Sequence, residues 1–370
     1  MTKIYFDNAA TTKVNDEVIN TMLETMKNYY ANADSTHDMG LEIAKKIRDE
    51  KKIFENLLGL KKENIYFTAG GGDANNIIIN SIVSSHKKGH IISTKIEHPS
   101  VLETIKNLEN NYDISYVNVD NYGFVNETEL KNLIREDTIL VSISFVNSEL
   151  GTIQNIEKLS NMVKEINKNT IFHTDFVQGL GHINVNFSKL KVDAISFSSH
   201  KIYGPKGIGA MYINPDIKFK KSIYGSNTEN HLVPRTMPNE LVLGFLKAIN
   251  LIDYFKLQKM QELKEYCMQE LLKIKNVRIN SPENSSPSIL NVAFKNIKGE
   301  VILNYLSANN IYISTGSACS SKKGVSNVIK EINLDKEYIN GVIRISFSIE
   351  NTKNEVDIMI KHIKEIVEMI

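Results

Sequence analysis

The densest run of chemically capable residues is Ser196-Phe197-Ser198-Ser199-His200-Lys201, which follows a strand-like segment and precedes Gly204-Pro205-Lys206-Gly207. One strand upstream, Phe172-His173-Thr174-Asp175-Phe176-Val177-Gln178 sets an acid at the end of another strand-like run. A lone strand-end lysine is ordinarily a solvated charge. Consecutive parallel strands, however, end at one edge of a sheet, so this amine and this carboxylate share a cleft. A cofactor that needs both is pyridoxal 5'-phosphate (PLP): a lysine amine forms a Schiff base, an acid pairs with the pyridine nitrogen, and the ring becomes an electron sink. Its phosphate needs an anion site. Thr68-Ala69-Gly70-Gly71-Gly72-Asp73-Ala74-Asn75 follows a strand and opens a helix, so backbone N–H groups can face an anion at the helix N-terminus. A tight strand-to-helix turn explains the glycines equally well, and it is their position that favours the cradle.

Those groups must be delivered by a sheet. Between residues 64 and 213, β-branched runs recur at Ile65–Thr68, Ile91–Thr94, Ile114–Val119, Ile139–Phe145, Thr170–Thr174, Ala194–Ser198 and Ile208–Ile213. Apolar residues at helical spacing separate them, as in Val101, Ile105, Leu108 and in Leu159, Val163, Ile166, which predicts an α/β fold with helices on both faces of a mostly parallel seven-stranded sheet. A single long helix is predicted from Leu241 to Lys275. Beyond it, strand-like Ser288–Phe294, helical Gly299–Ala308, strand-like Ile311–Ser314 and Val342–Ser348, and a final helix from Lys353 predict a smaller α+β domain. The expected division is 14–245 for the large domain, with 1–13 and 246–370 forming the small one. The small and charged residues of 315–326 offer nothing to pack, so a mobile loop is expected there. The Asn-rich run Asn75–Asn80 reads as compositional drift.

Composition removes other classes. The chain has 370 residues, 42% hydrophobic and 24% charged, with a formal net charge of +1, so neither a nucleic-acid-binding field nor disorder is expected. No stretch approaches the roughly 18 apolar residues of a membrane span, and the opening residues carry no apolar run with a cleavage site, so a cytoplasmic protein with no membrane contact is expected. Cys267 and Cys319 are too few for a disulfide framework or a four-thiolate metal site, so no metal is expected. Cys267 falls in a helical pattern and reads as structural. Cys319 lies in a Gly/Ser loop beside Lys322 and Lys323, which favour its thiolate and make it a candidate nucleophile.

Taken together, Tyr5-Phe6-Asp7-Asn8-Ala9-Ala10-Thr11-Thr12, Glu97-His98-Pro99, Asp175 to Gln178, Ser198 to Gly207 and Thr315-Gly316-Ser317-Ala318-Cys319 resemble the group I cysteine desulfurases, PLP enzymes of the class V aminotransferase superfamily, over essentially the whole length. The resemblance implies PLP fold type I and a homodimer converting L-cysteine to L-alanine. It implies that Lys201 holds PLP and moves the substrate's Cα proton, and that Asp175 pairs with the ring nitrogen. Gln178 would bond the ring's phenolic oxygen, and His98 would stack on the ring and exchange protons with the substrate thiol. Ser198, His200, Gly71, Gly72 and, from the partner subunit, Thr236 are implied for the phosphate. Asn147 and Ser148 would serve substrate and ring, and Arg344 would anchor the substrate carboxylate. Cys319 would take the sulfur as a persulfide and carry it to an acceptor protein, either an iron–sulfur cluster scaffold or a tRNA-thiolating enzyme.

Four segments depart from the family pattern. Gly-Ala-Thr-Glu reads Gly70-Gly71-Gly72-Asp73, which loses a threonine hydroxyl, and Asn-Asn-Glu reads Asn147-Ser148-Glu149. Arg-x-Gly-Thr reads Val233-Pro234-Arg235-Thr236, and Asn-Pro-Ser-Ser-x-His reads Asn32-Ala33-Asp34-Ser35-Thr36-His37. A selenocysteine lyase, another class V PLP enzyme and a non-catalytic dimeric interaction protein are the alternatives.

Overall fold

The computed structural model describes residues 3–59, 64–225, 232–316 and 325–369. Its centre is a seven-stranded sheet built from β2 (Ile65–Thr68), β3 (His90–Thr94), β4 (Asp113–Val117), β5 (Thr138–Ser142), β6 (Ile171–Asp175), β7 (Ala194–Ser198) and β8 (Gly209–Ile213). The order across the sheet is β2-β8-β7-β6-β5-β3-β4, and only β8 runs against its neighbours. All seven strands are those expected from the β-branched runs, with ends shifted by a few residues.

Strands covered on both faces read as continuous apolar runs, and β2, β3, β5, β6 and β7 are buried along their whole length. One face packs against phenylalanines, with Phe54 and Phe197 edge to face at 5.0 Å and Phe145 and Phe176 tilted against each other at 4.6 Å. The other is covered by α3 (Gly71–Val83) and α4 (Pro99–Lys106), through Ile77, Ile78, Ile82, Val101 and Ile105. Each such side chain contributes about 1.5–3 kcal/mol on burial, which keeps the strand ends rigid enough to position chemistry.

A second core gathers Ile4, Phe6, Cys267, Ile302, Leu306, Ile343, Ile345, Met359 and Ile363. It joins the antiparallel strands β9 (Val277–Ile279), β10 (Ile289–Phe294) and β12 (Val342–Ser346) to α8 (Phe255–Leu272), α9 (Gly299–Ala308) and α11 (Lys353–Met369). The N-terminal β1 (Ile4–Tyr5) pairs with β11 (Ile311–Tyr312) at this core, and the chain then crosses to the main sheet, where Thr12 N–H donates to His200 O. Cys267 is fully buried and its thiol pKa is pushed up by desolvation, as its structural reading requires.

The single helix expected over Leu241–Lys275 is instead two, α7 (Asn239–Asn250) and α8. The break falls at Leu251–Tyr254, where Asp253 Oδ1 accepts from Phe255 N at 3.0 Å and restarts the chain as a new helix. Asp competes for nearby backbone donors and so favours helix starts over helix interiors. The strand β9 and the short α10 (Asn327–Glu331) carry no periodic signal of their own and were not expected. Among the described residues, no helix is long and apolar enough to cross a membrane.

Candidate active site

The carboxyl ends of β2, β3, β5, β6 and β7 open on one cavity of about 280 Å³. Lys201, Asp175, His98, Gln178, Ser198, His200, Gly71, Gly72, Asn147, Ser148 and Arg344 all line it. Thr236 is exposed and is not among the lining residues, and Cys319 lies outside the described residues.

Each group has a local cause for its position. Lys201 ends a single 3-10 turn after β7, and its Nζ donates to Ala9 O at 2.5 Å and Ala10 O at 2.7 Å. Gln178 Nε2 donates to the same Ala9 O at 3.0 Å, so the N-terminal segment forms one wall. Asp175 is buried at the end of β6, its Oδ1 accepting from Val177 N at 2.9 Å and its Oδ2 from Asn75 Nδ2 at 2.8 Å. Asn75 was read as drift. It is instead buried one helical turn beyond Gly71 on α3, and that four-residue spacing is the signal that would have placed it on the cavity face.

Within the glycine turn, close approach requires glycine at Gly71, and beside the turn at Gly209. A Cβ at Gly71 would lie 2.5 Å from Val177 Cγ2, and one at Gly209 would lie 2.6 Å from the carbonyl carbon of Gly70. Asp73 Oδ2 accepts from Ala69 N at 2.8 Å and pairs with Arg235 Nη2 at 2.5 Å, so two of the departing segments are clamped to each other. In a third, His37 caps the helix Asp38–Leu58, accepting from Gly40 N at 3.3 Å.

His98 is the N-cap of α4, its Nδ1 accepting from Ser100 N at 3.1 Å. One side chain thus caps the helix and lines the cavity. Burial, with Lys201 adding repulsion, lowers its pKa against the pull of Asp175. Burial, Lys201 and Lys206 bring His200 down to about 4, so it is a neutral hydrogen-bonding group at neutral pH. Glu97, fully buried, is pushed up to about 7 by desolvation, while Thr94 Oγ1 and Ser144 N donate to it at 2.8 and 3.0 Å.

Arg344, 1% exposed on β12, brings the second core to the site. Its Nη1 donates to Ser148 O at 2.9 Å and its Nη2 to Asp7 Oδ1 at 2.8 Å. Asp7 was not foreseen as its counter-ion. The Asn147 carboxamide is engaged in the turn, accepting from Glu149 N and Leu150 N and donating to Ile96 O at 3.0 Å, so it shapes the 147–152 turn that presents Ser148 O.

The cavity fits a phosphorylated pyridine aldehyde. Ser198 Oγ, Gln178 Oε1 and Arg344 Nε are buried with no hydrogen-bond partner among the described residues. A buried polar atom left unpaired costs about 1–3 kcal/mol, so these atoms call for a ligand with polar groups. The helix start at Gly71 supplies an anion site, Asp175 a partner for a ring N–H, and Lys201 an amine.

The Aminotransferase class-V family pattern matches residues 4–359. A cysteine desulfurase IscS of Dictyoglomus turgidum is 38% identical over 375 residues, covering 99% of this chain and 95% of that one. Another, of Methanosarcina thermophila, is 37% identical, covering 99% and 92%. Among solved structures, a NifS-like protein superposes with a TM-score of 0.94 at 35% identity, covering both chains completely. A second NifS-like protein, from Rickettsia africae, gives 0.88 at 27%, covering 99% of this chain and all of that one. Lysine, acid and glycine turn thus stand at the strand ends of a chain matched along nearly its whole length, and the protein belongs to the class V aminotransferase family.

Proposed function

We propose that the protein is a PLP-dependent cysteine desulfurase, with the overall reaction L-cysteine plus the Cys319 thiol giving L-alanine plus a Cys319 persulfide. The observation that carries this reading is the convergence of Lys201, Asp175, His98 and Arg344 on one cavity. The relatives named IscS supply the reaction class.

Lys201, Asp175, Gln178, Ser198, His200 and the backbone of Gly71 and Gly72 would hold the cofactor, with Thr236 reaching the partner subunit's phosphate. When bound, PLP supplies an electron sink for charge that develops at the amino acid's Cα. Lys201 Nζ takes the Cα proton. Arg344 anchors the substrate carboxylate, since a planar guanidinium offers parallel donors to two oxygens. Cys319 Sγ, as thiolate, attacks the substrate sulfur, and the C–S bond breaks as the S–S bond forms. The persulfide then passes to an acceptor protein, an iron–sulfur cluster scaffold or a tRNA-thiolating enzyme.

We place the enzyme in the cytoplasm as a homodimer. On α1 (Asp16–Asn28), Ile19, Leu23 and Met26 are 46%, 48% and 53% exposed at helical spacing, an apolar stripe suited to a second copy. The test is alanine release from L-cysteine with PLP and a thiol reductant, compared with L-selenocysteine. Alanine from L-cysteine is expected. Alanine from selenocysteine alone would make the protein a lyase, and an unchanged visible spectrum in Lys201→Ala would remove the lysine's assigned role.

A further inference from the structure

We propose that Ser100, fixed in place by Asn75, is a positioning residue that holds His98 with its proton on Nε2, so that the ring meets the substrate's sulfur as a hydrogen-bond donor rather than as a base. This deepens the desulfurase reading and rests on it for the identity of the substrate.

The direction of the hydrogen bonds can be followed from one end. A carboxylate oxygen only accepts, so Asp175 Oδ2, 2.8 Å from Asn75, must face the amide nitrogen and not its oxygen. With the amide so oriented, Ser196 Oγ donates to Asn75 Oδ1 from the other side. The amide nitrogen only donates, and its second hydrogen goes to Ser100 Oγ at 2.9 Å. The hydroxyl keeps a hydrogen and a second lone pair, and His98 Nδ1 lies 2.8 Å from it. The Ser100 backbone N–H points at the same Nδ1 from 3.1 Å. A backbone N–H only donates, so this ring nitrogen carries a lone pair and the hydroxyl donates to it as well.

The neutral imidazole then has its proton on Nε2, the nitrogen outside the cap. Protonating Nδ1 would set its hydrogen against the Ser100 backbone N–H and oblige the Ser100 hydroxyl to reverse from donor to acceptor. Nε2, already protonated, cannot take a thiol proton. It can donate to a sulfur that arrives as thiolate, which makes the deprotonated thiol the form of substrate this ring receives. The charged and titratable groups facing His98 are Asp175, Lys201 and His200. Of these, Lys201 opposes a positive ring and Asp175 favours one.

The test is nitrogen-15 NMR of the histidine-labelled holoenzyme, with the His98 signals assigned by difference from His98→Asn. Nδ1 is expected to resonate as an unprotonated ring nitrogen and Nε2 as a protonated one. In Ser100→Ala one of the two donors is lost, so protonation of Nδ1 becomes easier. The His98 titration should then move up by about half to one pH unit, and Ser100→Thr should return it. A wild-type ring protonated on Nδ1, or an identical titration in Ser100→Ala, would overturn the proposal. The spectrum reads the ring whether or not L-cysteine is turned over. Failure to form alanine alongside an Nε2-protonated ring would therefore count against the desulfurase reading and not against this one.

Discussion

Replacing Gly71 by alanine should weaken cofactor binding, although alanine is the residue the family pattern carries at this point. The added Cβ would lie 2.5 Å from Val177 Cγ2 and 3.3 Å from Ser198 Cβ. Val177 is β-branched and stiff at χ1, and its backbone N–H is held by Asp175 Oδ1 at 2.9 Å. Relief must therefore come from moving either Asp175 or the start of α3, the two features that would hold the ring and the phosphate. Overpacking of this kind costs about 1–3 kcal/mol, or about 5- to 150-fold in affinity if it falls on the bound state. Titration of apoenzyme with PLP, followed by its visible absorbance, measures that loss. Val177→Ala in the same chain removes the clashing methyl group and should recover most of it. A Gly71→Ala enzyme that binds PLP as tightly as wild type, or a loss that Val177→Ala leaves untouched, would refute the reasoning.

Two further outcomes are expected. Arg344→Lys keeps a positive charge but loses the fork that reaches both Ser148 O and Asp7, so KM for L-cysteine should rise about ten- to a hundredfold with a smaller change in kcat, as steady-state kinetics would show. Glu97 has its pKa pushed from 4.5 to about 7 on folding, so the folded state binds more protons between those values. Stability should fall as pH rises through that window, by on the order of 3 kcal/mol, and Glu97→Gln should flatten the dependence in urea unfolding curves taken from pH 4 to 8. A wild-type curve that is flat over this range would contradict the burial argument.

Most of the site was legible because strand-end chemistry is local. Lys201, Asp175 and the Gly70–Gly72 turn each follow a β-branched run, and the rule that parallel strands end together joins them without any long-range information. The partners of those residues were less visible. Asn75 sat within an Asn-rich run whose composition hid its position one turn past Gly71. Asp7 reaches Arg344 across 337 positions of sequence, a pairing no local pattern encodes. The same holds for Arg235 and Asp73, two separate departures from the family pattern that meet as an ion pair. The break between α7 and α8 was missed because apolar spacing continues through Leu251 and Ile252, and the interruption shows only in the turn where Asp253 Oδ1 accepts from Phe255 N. The expected mobile loop around Cys319 falls largely on residues outside those described.

The most direct test of the central claim is a single turnover of PLP-loaded enzyme with L-cysteine, counting alanine released and mapping the added sulfur by mass spectrometry of intact peptides. One alanine per added sulfur, with that sulfur on Cys319 and lost in Cys319→Ala while PLP absorption remains, is the result predicted. Alanine without sulfur on Cys319, or an unchanged yield of enzyme-bound sulfur in Cys319→Ala, would contradict it.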